Sequence, residues 1–365
     1  MVRFPGKRRP SGRRRGTGVD RACLGETSVA ERPFRWGILS AANIARRRFV
    51  PGVRAGTEGE VVAVAARDGD RARAFAGDLD IPQAYDSYEA LLADPNVDGV
   101  YIGLPNILHT EWTVRAAEAG KHVLCEKPLS RRAADVEQMV AACSKASVIL
   151  MEAFMYRHHP QHVRVRELLA AGEIGEPTFV RATFSYAMPQ ERRAARDVRV
   201  QPELDGGAFM DVGCYALNAA RLLFDAEPTE VTALQRRDEA LGVDTSFAGL
   251  ARFPGDRLAL IEGSFDANGP ARYEISGFRG SLLVERAFQP ESNPSTITIT
   301  RPGERYSVDV PGTDQFGQEA DHFVRSVRAG HLLAPAENGL AQARALEALY
   351  KSAETGQAVR LDAPA

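Results

Sequence analysis

The chain has 365 residues, 44% hydrophobic and 26% charged, which is enough apolar material for two ordinary cores and excludes a disulfide-stapled peptide or a fibrous repeat. Lys+Arg 46 against Asp+Glu 48 leave a formal net charge of -2, which argues against a dedicated nucleic-acid binder. Cys23, Cys125, Cys143 and Cys214 form no C-x-x-C pair and no run of about 18 apolar residues occurs, so we expect reduced thiols, no membrane span and a cytoplasmic location.

Residues 1–35 hold ten Lys or Arg and three Asp or Glu. Arg8, Arg9, Arg13, Arg14 and Arg15 suggest a twin-arginine export signal, but the apolar stretch of roughly 7 to 15 residues that such a signal needs does not follow. Residues 1–33 are therefore expected to be a disordered basic extension. From Phe34 short apolar runs alternate with amphipathic segments. Strands are expected at 35–39, 61–66, 97–102, 122–125 and 148–151, with helices at 71–77, 88–93, 110–119 and 132–146, the rhythm of a parallel sheet with right-handed crossovers. A helix at 161–171 comes next. Strands at 178–186, 247–253, 258–265, 271–277, 281–284, 296–300 and 306–310 are split by turn chemistry such as Pro254-Gly255-Asp256. With helices at 213–223, 315–329 and 340–355, this second region reads as a mainly antiparallel sheet with helical cover.

The first strand runs into Ser40-Ala41-Ala42-Asn43-Ile44-Ala45, at the place where a dinucleotide fold puts its G-x-G-x-x-[GA] turn. Small residues are needed there because a pyrophosphate must approach backbone N–H groups at a helix N-terminus. Ser40 and Ala42 replace both glycines, so the turn alone is a weak signal. The second strand ends in Arg67-Asp68, with Arg71 one helical turn later. Arginines at that position accommodate the 2′-phosphate of NADP, whereas Asp68 keeps NAD possible.

Five segments together are a specific match: the first turn, Leu104-Pro105-Asn106-Ile107-Leu108-His109, Cys125-Glu126-Lys127-Pro128, Met151-Glu152-Ala153-Phe154-Met155-Tyr156-Arg157, and Gly206-Gly207-Ala208-Phe209-Met210-Asp211-Val212-Gly213-Cys214-Tyr215. In this order they resemble the Gfo/Idh/MocA family of oxidoreductases over about residues 34 to 355. The resemblance is greatest to its dimeric dihydrodiol dehydrogenase and NADP-dependent D-xylose 1-dehydrogenase branch. It implies an α/β fold: an N-terminal Rossmann domain over 34–153, and a C-terminal α/β domain over 154–337 whose large open sheet binds substrate on one side and a second subunit on the other. Residues 338–365 would pack back toward the N-terminal domain. The implied activity is NADP(H)-dependent hydride transfer at a hydroxyl or carbonyl carbon of a sugar, polyol or cyclic diol. Alternatives are a nucleotide-sugar 3-ketoreductase, suggested by His158-His159-Pro160-Gln161-His162 and Asp314-Gln315-Phe316, and a non-catalytic cofactor-sensing regulator.

For that chemistry Lys127, at a strand end, is expected to hydrogen-bond the reacting oxygen, and Tyr215 to donate and accept its proton with a pKa lowered by a nearby ammonium. Asp211, four residues before Tyr215, is expected to orient Lys127 or a sugar hydroxyl. Ser40, Ala41, Ala42, Asn43, Ile44, Arg67, Asp68, Arg71, Leu104, Pro105, Asn106, His109, Glu126 and Lys127 are expected around the cofactor, and Glu152 and Arg157 either there or in structural ion pairs. His158, His159 and His162 are interrupted by Pro160 and lack a Cys to complete a set, so no metal is expected.

Overall fold

In the computed structural model, which describes residues 32–333 and 338–362, the first apolar runs become a six-stranded parallel sheet. Its strands are β1 (Phe34–Leu39), β2 (Gly59–Ala65), β3 (Gln83–Tyr85), β4 (Gly99–Ile102), β5 (His122–Glu126) and β6 (Leu150–Ala153). Residues 1–31 of the expected basic extension lie outside the described residues. Helices α1 (Val50–Ala55), α2 (Gly69–Asp78), α3 (Tyr88–Leu92), α4 (His109–Glu118) and α5 (Ala133–Ala146) cover both faces, which is why β4 is apolar and buried at every position. The order β3-β2-β1-β4-β5-β6 reverses direction between β1 and β4, and a crevice opens there at the carboxyl ends of the strands. β3 escaped the sequence reading because Gln-Ala-Tyr is too short to show a period.

The second region begins with α6 (Pro160–Ala170) and holds a nine-stranded sheet. The strands are β7 (Pro177–Ser185), β8 (Glu230–Asp238), β9 (Val243–Phe253), β10 (Arg257–Ser264), β11 (Ala271–Gly277), β12 (Gly280–Val284), β13 (Ser295–Arg301), β14 (Glu304–Val310) and β15 (Val359–Arg360). Their order is β14-β13-β12-β11-β7-β10-β9-β8-β15; only β7 and β10 pair in parallel. β8, which ends Gln-Arg-Arg-Asp, was also unexpected, because a strand with one solvent-facing side carries half of its pattern in polar residues. Between β7 and β8 lie α7 (Gln190–Ala194) and α8 (Cys214–Phe224), the latter packed on β7 and β10. Late in the chain come α9 (Gln315–Ala329) and α10 (Gly339–Thr355). α10 joins the two cores: Ala343 belongs to a buried cluster with Val123 and Val136 of the first, Leu346 and Leu349 to that of the second.

Candidate active site

At the end of β1 the chain turns through Ser40 with φ 134°, a conformation L side chains rarely adopt. Two bonds hold it: Ser40 N–H donates to Ala65 O at 3.1 Å, and Ser40 Oγ donates to Gly103 O at 3.0 Å. Ser40 thus keeps the backbone of the glycine it replaces and ties the turn to the end of β4. Ala41, Ala42, Asn43 and Ile44 line the cavity beyond, where a helix begins and runs through a π-helical turn, Ala45–Phe49, into α1. The opening amides of such a helix have no intrahelical acceptor and suit an anion.

The second strand delivers Arg67, Asp68 and Arg71 to the same cavity, together with Tyr88 of α3. Asp68 is the N-cap of α2, its Oδ1 accepting from Asp70 N at 2.9 Å and Arg71 N at 3.2 Å. That carboxylate oxygen is committed to the helix. Burial raises the Tyr88 phenol pKa while Arg67 and Arg71 oppose it, so the two guanidinium groups and the ring form one cluster.

The opposite end is built around Lys127, which follows β5 and precedes a cis Lys127–Pro128 peptide. Its Nζ donates to Asp211 O at 2.7 Å and stands 3.5 Å from Asp211 Oδ1. Burial works against the Lys127 charge, but Asp211, Cys214 and Glu126 outweigh it and leave the pKa raised; the group is an ammonium. Asp211 lies on a second π-helical turn, Phe209–Gly213, ahead of α8. Burial pushes its pKa up, yet Arg199 and Lys127 beside it, with the Tyr186 hydroxyl, hold it below the usual value. Asp211 Oδ2 accepts from Tyr186 OH at 3.2 Å and from Arg199 Nε at 3.1 Å. Glu126 is half-buried, its pKa raised by desolvation, and it takes a 2.5 Å bond from Tyr101 OH.

Tyr215 lies beside this cluster but not as expected. Lys127 Nζ sits over its ring, 4.7 Å from the centroid, and Tyr215 OH donates to Met155 Sδ at 3.3 Å. The ring packs among Phe154, Phe184 and Phe288 at 5.3 to 5.5 Å. Burial, followed by Glu126, raises the phenol pKa well above its ordinary value, so the expected lowering by an ammonium does not occur. The ammonium meets the ring face rather than the oxygen.

Leu104, Pro105, Asn106 and Glu126 line the cavity as expected. Asn106 Nδ2 also donates to Asp205 O at 2.9 Å. One expectation is corrected, and Glu152 and Arg157 take the structural one of their two expected places. His109 is fully buried behind the wall, its ring nitrogens bonded to Pro128 O at 3.0 Å and Leu104 O at 2.9 Å, so it shapes the lysine loop rather than bordering the nicotinamide. Glu152 Oε1 accepts from Leu129 N at 3.0 Å, and Arg157 Nη1 donates to Asn218 Oδ1 at 3.2 Å; both are buried away from the cavity. Tyr186, Arg192, Arg196, Arg199, Gln315 and Phe316 line the cavity and were missed. For the arginines the available signal was the dense run Arg192-Arg193-Ala194-Ala195-Arg196-Asp197-Val198-Arg199 inside a loop, which reads equally as solvated surface. No group of three His, Cys, Asp or Glu gathers as a metal site among the described residues.

The cavity is about 1430 Å³, larger than the roughly 300 to 1,000 Å³ of a drug-sized ligand site. A dinucleotide fits its residues: small side chains and helix amides at the turn, two guanidinium groups and a ring at one end, and an ammonium at the other. Fold and site together define a two-domain oxidoreductase with a Rossmann-type dinucleotide crevice. Residues 34–154 match the model of an oxidoreductase family with an NAD-binding Rossmann fold, and residues 162–283 match a GFO/IDH/MocA C-terminal domain. The chain belongs to the Gfo/Idh/MocA family of oxidoreductases. It is 41% identical over 329 residues to a D-xylose 1-dehydrogenase (NADP(+)) of Haloferax volcanii, covering 90% of this chain and 99% of that one. It is 35% identical to a trans-1,2-dihydrobenzene-1,2-diol dehydrogenase of Xenopus tropicalis, over 76% and 82% of the two chains. Among solved structures, a 3-ketoreductase from Actinomadura kijaniata in complex with NADP and TDP-benzene superposes with a TM-score of 0.82 at 33% identity, covering 88% of this chain and 98% of that one.

Proposed function

We propose that this enzyme is an NADP(H)-dependent dehydrogenase or reductase acting on a hydroxyl or carbonyl carbon of a sugar, polyol or cyclic diol. The observation that carries the reading is one continuous cavity with Arg67 and Arg71 at one end and the Lys127–Asp211–Tyr215 group at the other. The relatives named for D-xylose with NADP(+) and for a cyclic diol support it. Residues 34–153 would hold the dinucleotide, 154–337 the substrate, and 338–365 would fasten the two.

When bound, the nicotinamide supplies or accepts the hydride. Lys127, a lasting ammonium, donates a hydrogen bond to the reacting oxygen and stabilises negative charge that develops there. Tyr215 holds a proton against the Met155 sulfur, a weak acceptor that gives it up readily to a better one. A bound carbonyl oxygen takes that proton during reduction. In the opposite direction the acceptor is the phenolate, and the raised pKa leaves little of it near neutrality, so oxidation is expected to accelerate with rising pH while reduction does not.

The test is NADPH formation with NADP and then NAD across aldoses, inositols, anhydrosugars and cyclic diols, with Tyr215→Phe alongside. Turnover of one class with NADP preferred, and a loss of roughly 100- to 10,000-fold in the variant, is expected. Unchanged turnover in Tyr215→Phe would remove the tyrosine from the mechanism. Turnover confined to a nucleotide-linked 3-keto sugar would assign the 3-ketoreductase activity instead. We also place the protein in the cytoplasm as a homodimer or homotetramer joined through the outer face of the nine-stranded sheet. There Leu234 is 73% exposed, with Leu250 and Leu260 paired across neighbouring strands beside it. A light-scattering mass equal to one 39.7 kDa chain would defeat the oligomer.

A further inference from the structure

Between β7 and the second π-helical turn the chain winds through α7 and two single 3₁₀ turns, Val198–Val200 and Pro202–Leu204. This segment is anchored to the catalytic motif itself. Gly207 N donates to Arg199 O at 2.8 Å, and a Cβ added at Gly206 would stand 2.6 Å from that same oxygen, so the glycines that precede Asp211 fix the Arg199 backbone beside it. Asp197 caps the turn, accepting from Arg199 N at 3.1 Å.

From that backbone the guanidinium reaches two carboxylates. Nε donates to Asp211 Oδ2 at 3.1 Å and Nη1 to Asp197 Oδ1 at 3.0 Å, while Nη2 makes no hydrogen bond among the described residues. The side chain is 37% exposed and lines the cavity, so this nitrogen is available to a ligand. Asp211 has its other oxygen toward Lys127. One carboxylate is therefore flanked by the ammonium and the guanidinium. Arg199 and Lys127 carry two positive charges against two negative ones on Asp197 and Asp211, and the neighbouring Arg196 has Glu203 at 3.3 Å. Arg192 on the same wall shares Asp197 at 3.7 Å, so the wall is dense in donors with a small positive excess, a surface for a polyhydroxyl molecule.

Resting on the reading of the chain as a sugar oxidoreductase, we propose that Arg199 is a specificity-determining residue: its Nη2 donates to the substrate hydroxyl next to the reacting carbon, while its Nε holds Asp211 in place beside Lys127. A substrate lacking that hydroxyl leaves a cationic donor unmatched in a partly enclosed site. Asp211 also depends on this contact for its ionisation. The charged and titratable groups around it are Lys127, Arg199, Tyr186, Glu126 and Cys214, and Arg199 heads those that keep it a carboxylate.

The experiment compares kcat/KM with NADP for D-glucose and 2-deoxy-D-glucose in the wild type, Arg199→Lys and Arg199→Leu. The wild type is expected to prefer D-glucose by about 10- to 100-fold, the range of one hydrogen bond to a charged donor. Arg199→Leu should lose most of that preference, and Arg199→Lys should retain part of it. The acid limb of kcat/KM should move to higher pH in the leucine variant and stay near wild type in the lysine variant. An unchanged preference in Arg199→Leu, with both sugars slowed equally, would reduce Arg199 to a structural role and overturn the proposal. A wild type that turns over no sugar at all would fail earlier, taking down the functional reading on which the proposal rests.

Discussion

The dinucleotide end of the cavity is assembled from the ends of neighbouring parallel strands, Ser40 after β1, Arg67 after β2 and Gly103 after β4, and Lys127 after β5 faces it from the other end. The substrate end draws on distant pieces of chain: Tyr186 after β7, Arg199 on a single 3₁₀ turn, Asp211 on a π-helical turn and Phe316 at the start of α9. At the first end strand ends and helix amides, whose positions repeat, supply much of the lining. At the second, side chains hold one another: Arg199, Tyr186 and Lys127 all converge on one carboxylate. A chain can exchange substrates by altering the second end while leaving the first intact.

Substitutions at Lys127 cut deepest into that comparison, because this residue serves both ends. Lys127→Ala is expected to lower kcat by about 100- to 1,000-fold, the scale of removing one preorganised donor from a developing oxyanion. NADPH binding, followed by its fluorescence, should persist within about tenfold, since the turn at Ser40 and the arginines at Arg67 and Arg71 remain. Loss of cofactor binding along with rate would show that the ends are not separable.

Next in size is the adenosine side. Arg67→Ala or Arg71→Ala should weaken NADP by about 10- to 100-fold, as expected for a charge-assisted bond to a phosphate, with NAD barely affected. Equal loss for NADP and NAD would mean that these arginines act on the fold rather than on the 2′-phosphate.

The same contrast explains what could be read from the sequence. Strand–turn–helix units announce themselves through local hydrophobic period and turn residues, so Ser40 to Ile44, Arg67 and Lys127 were legible in one dimension. Arg199 was not, because its role depends on Gly206 and Gly207 bringing its backbone against a carboxylate twelve residues away. His109 departs from its expected place in the opposite sense, and Glu152 and Arg157 take the structural one of their two expected places. Each lies in a motif that borders the site, but its side chain faces inward to bond Pro128, Leu129 or Asn218 and so supports the wall from behind. Tyr215 was placed correctly near Lys127 but in the wrong electrostatic setting, since the ring face rather than the oxygen meets the ammonium.

A smaller effect lies behind the site, at Glu319 on α9. Both of its carboxyl oxygens are buried and neither has a hydrogen-bond partner among the described residues. Burial, then the nearby Glu126, hold its pKa well above the ordinary value. The folded chain therefore keeps a proton that the unfolded chain releases above about pH 4, and stability on this account declines as pH rises from there toward the folded-state pKa. Glu319→Gln removes the titration. The variant's melting temperature, relative to wild type, should rise between pH 5 and pH 8; a constant difference would show that the carboxyl finds a partner in solution.

The smallest expected effect tests whether the dinucleotide end depends on backbone alone. Ser40 adopts a conformation suited to glycine and offsets its strain with the Oγ bond to Gly103 O. Ser40→Ala keeps the strain and deletes the bond, so about 1 kcal/mol of stability should be lost in denaturant unfolding. Ser40→Gly also deletes the bond but relieves strain on the order of 1 to 3 kcal/mol, offset in part by the greater freedom of glycine in the unfolded chain, so its net change should be near zero. If both variants lose equally, the hydroxyl and not the torsion angle governs the turn. If glycine is the more stable, the turn is a glycine site that serine occupies at a cost, and its tie to Gly103 only repairs that cost.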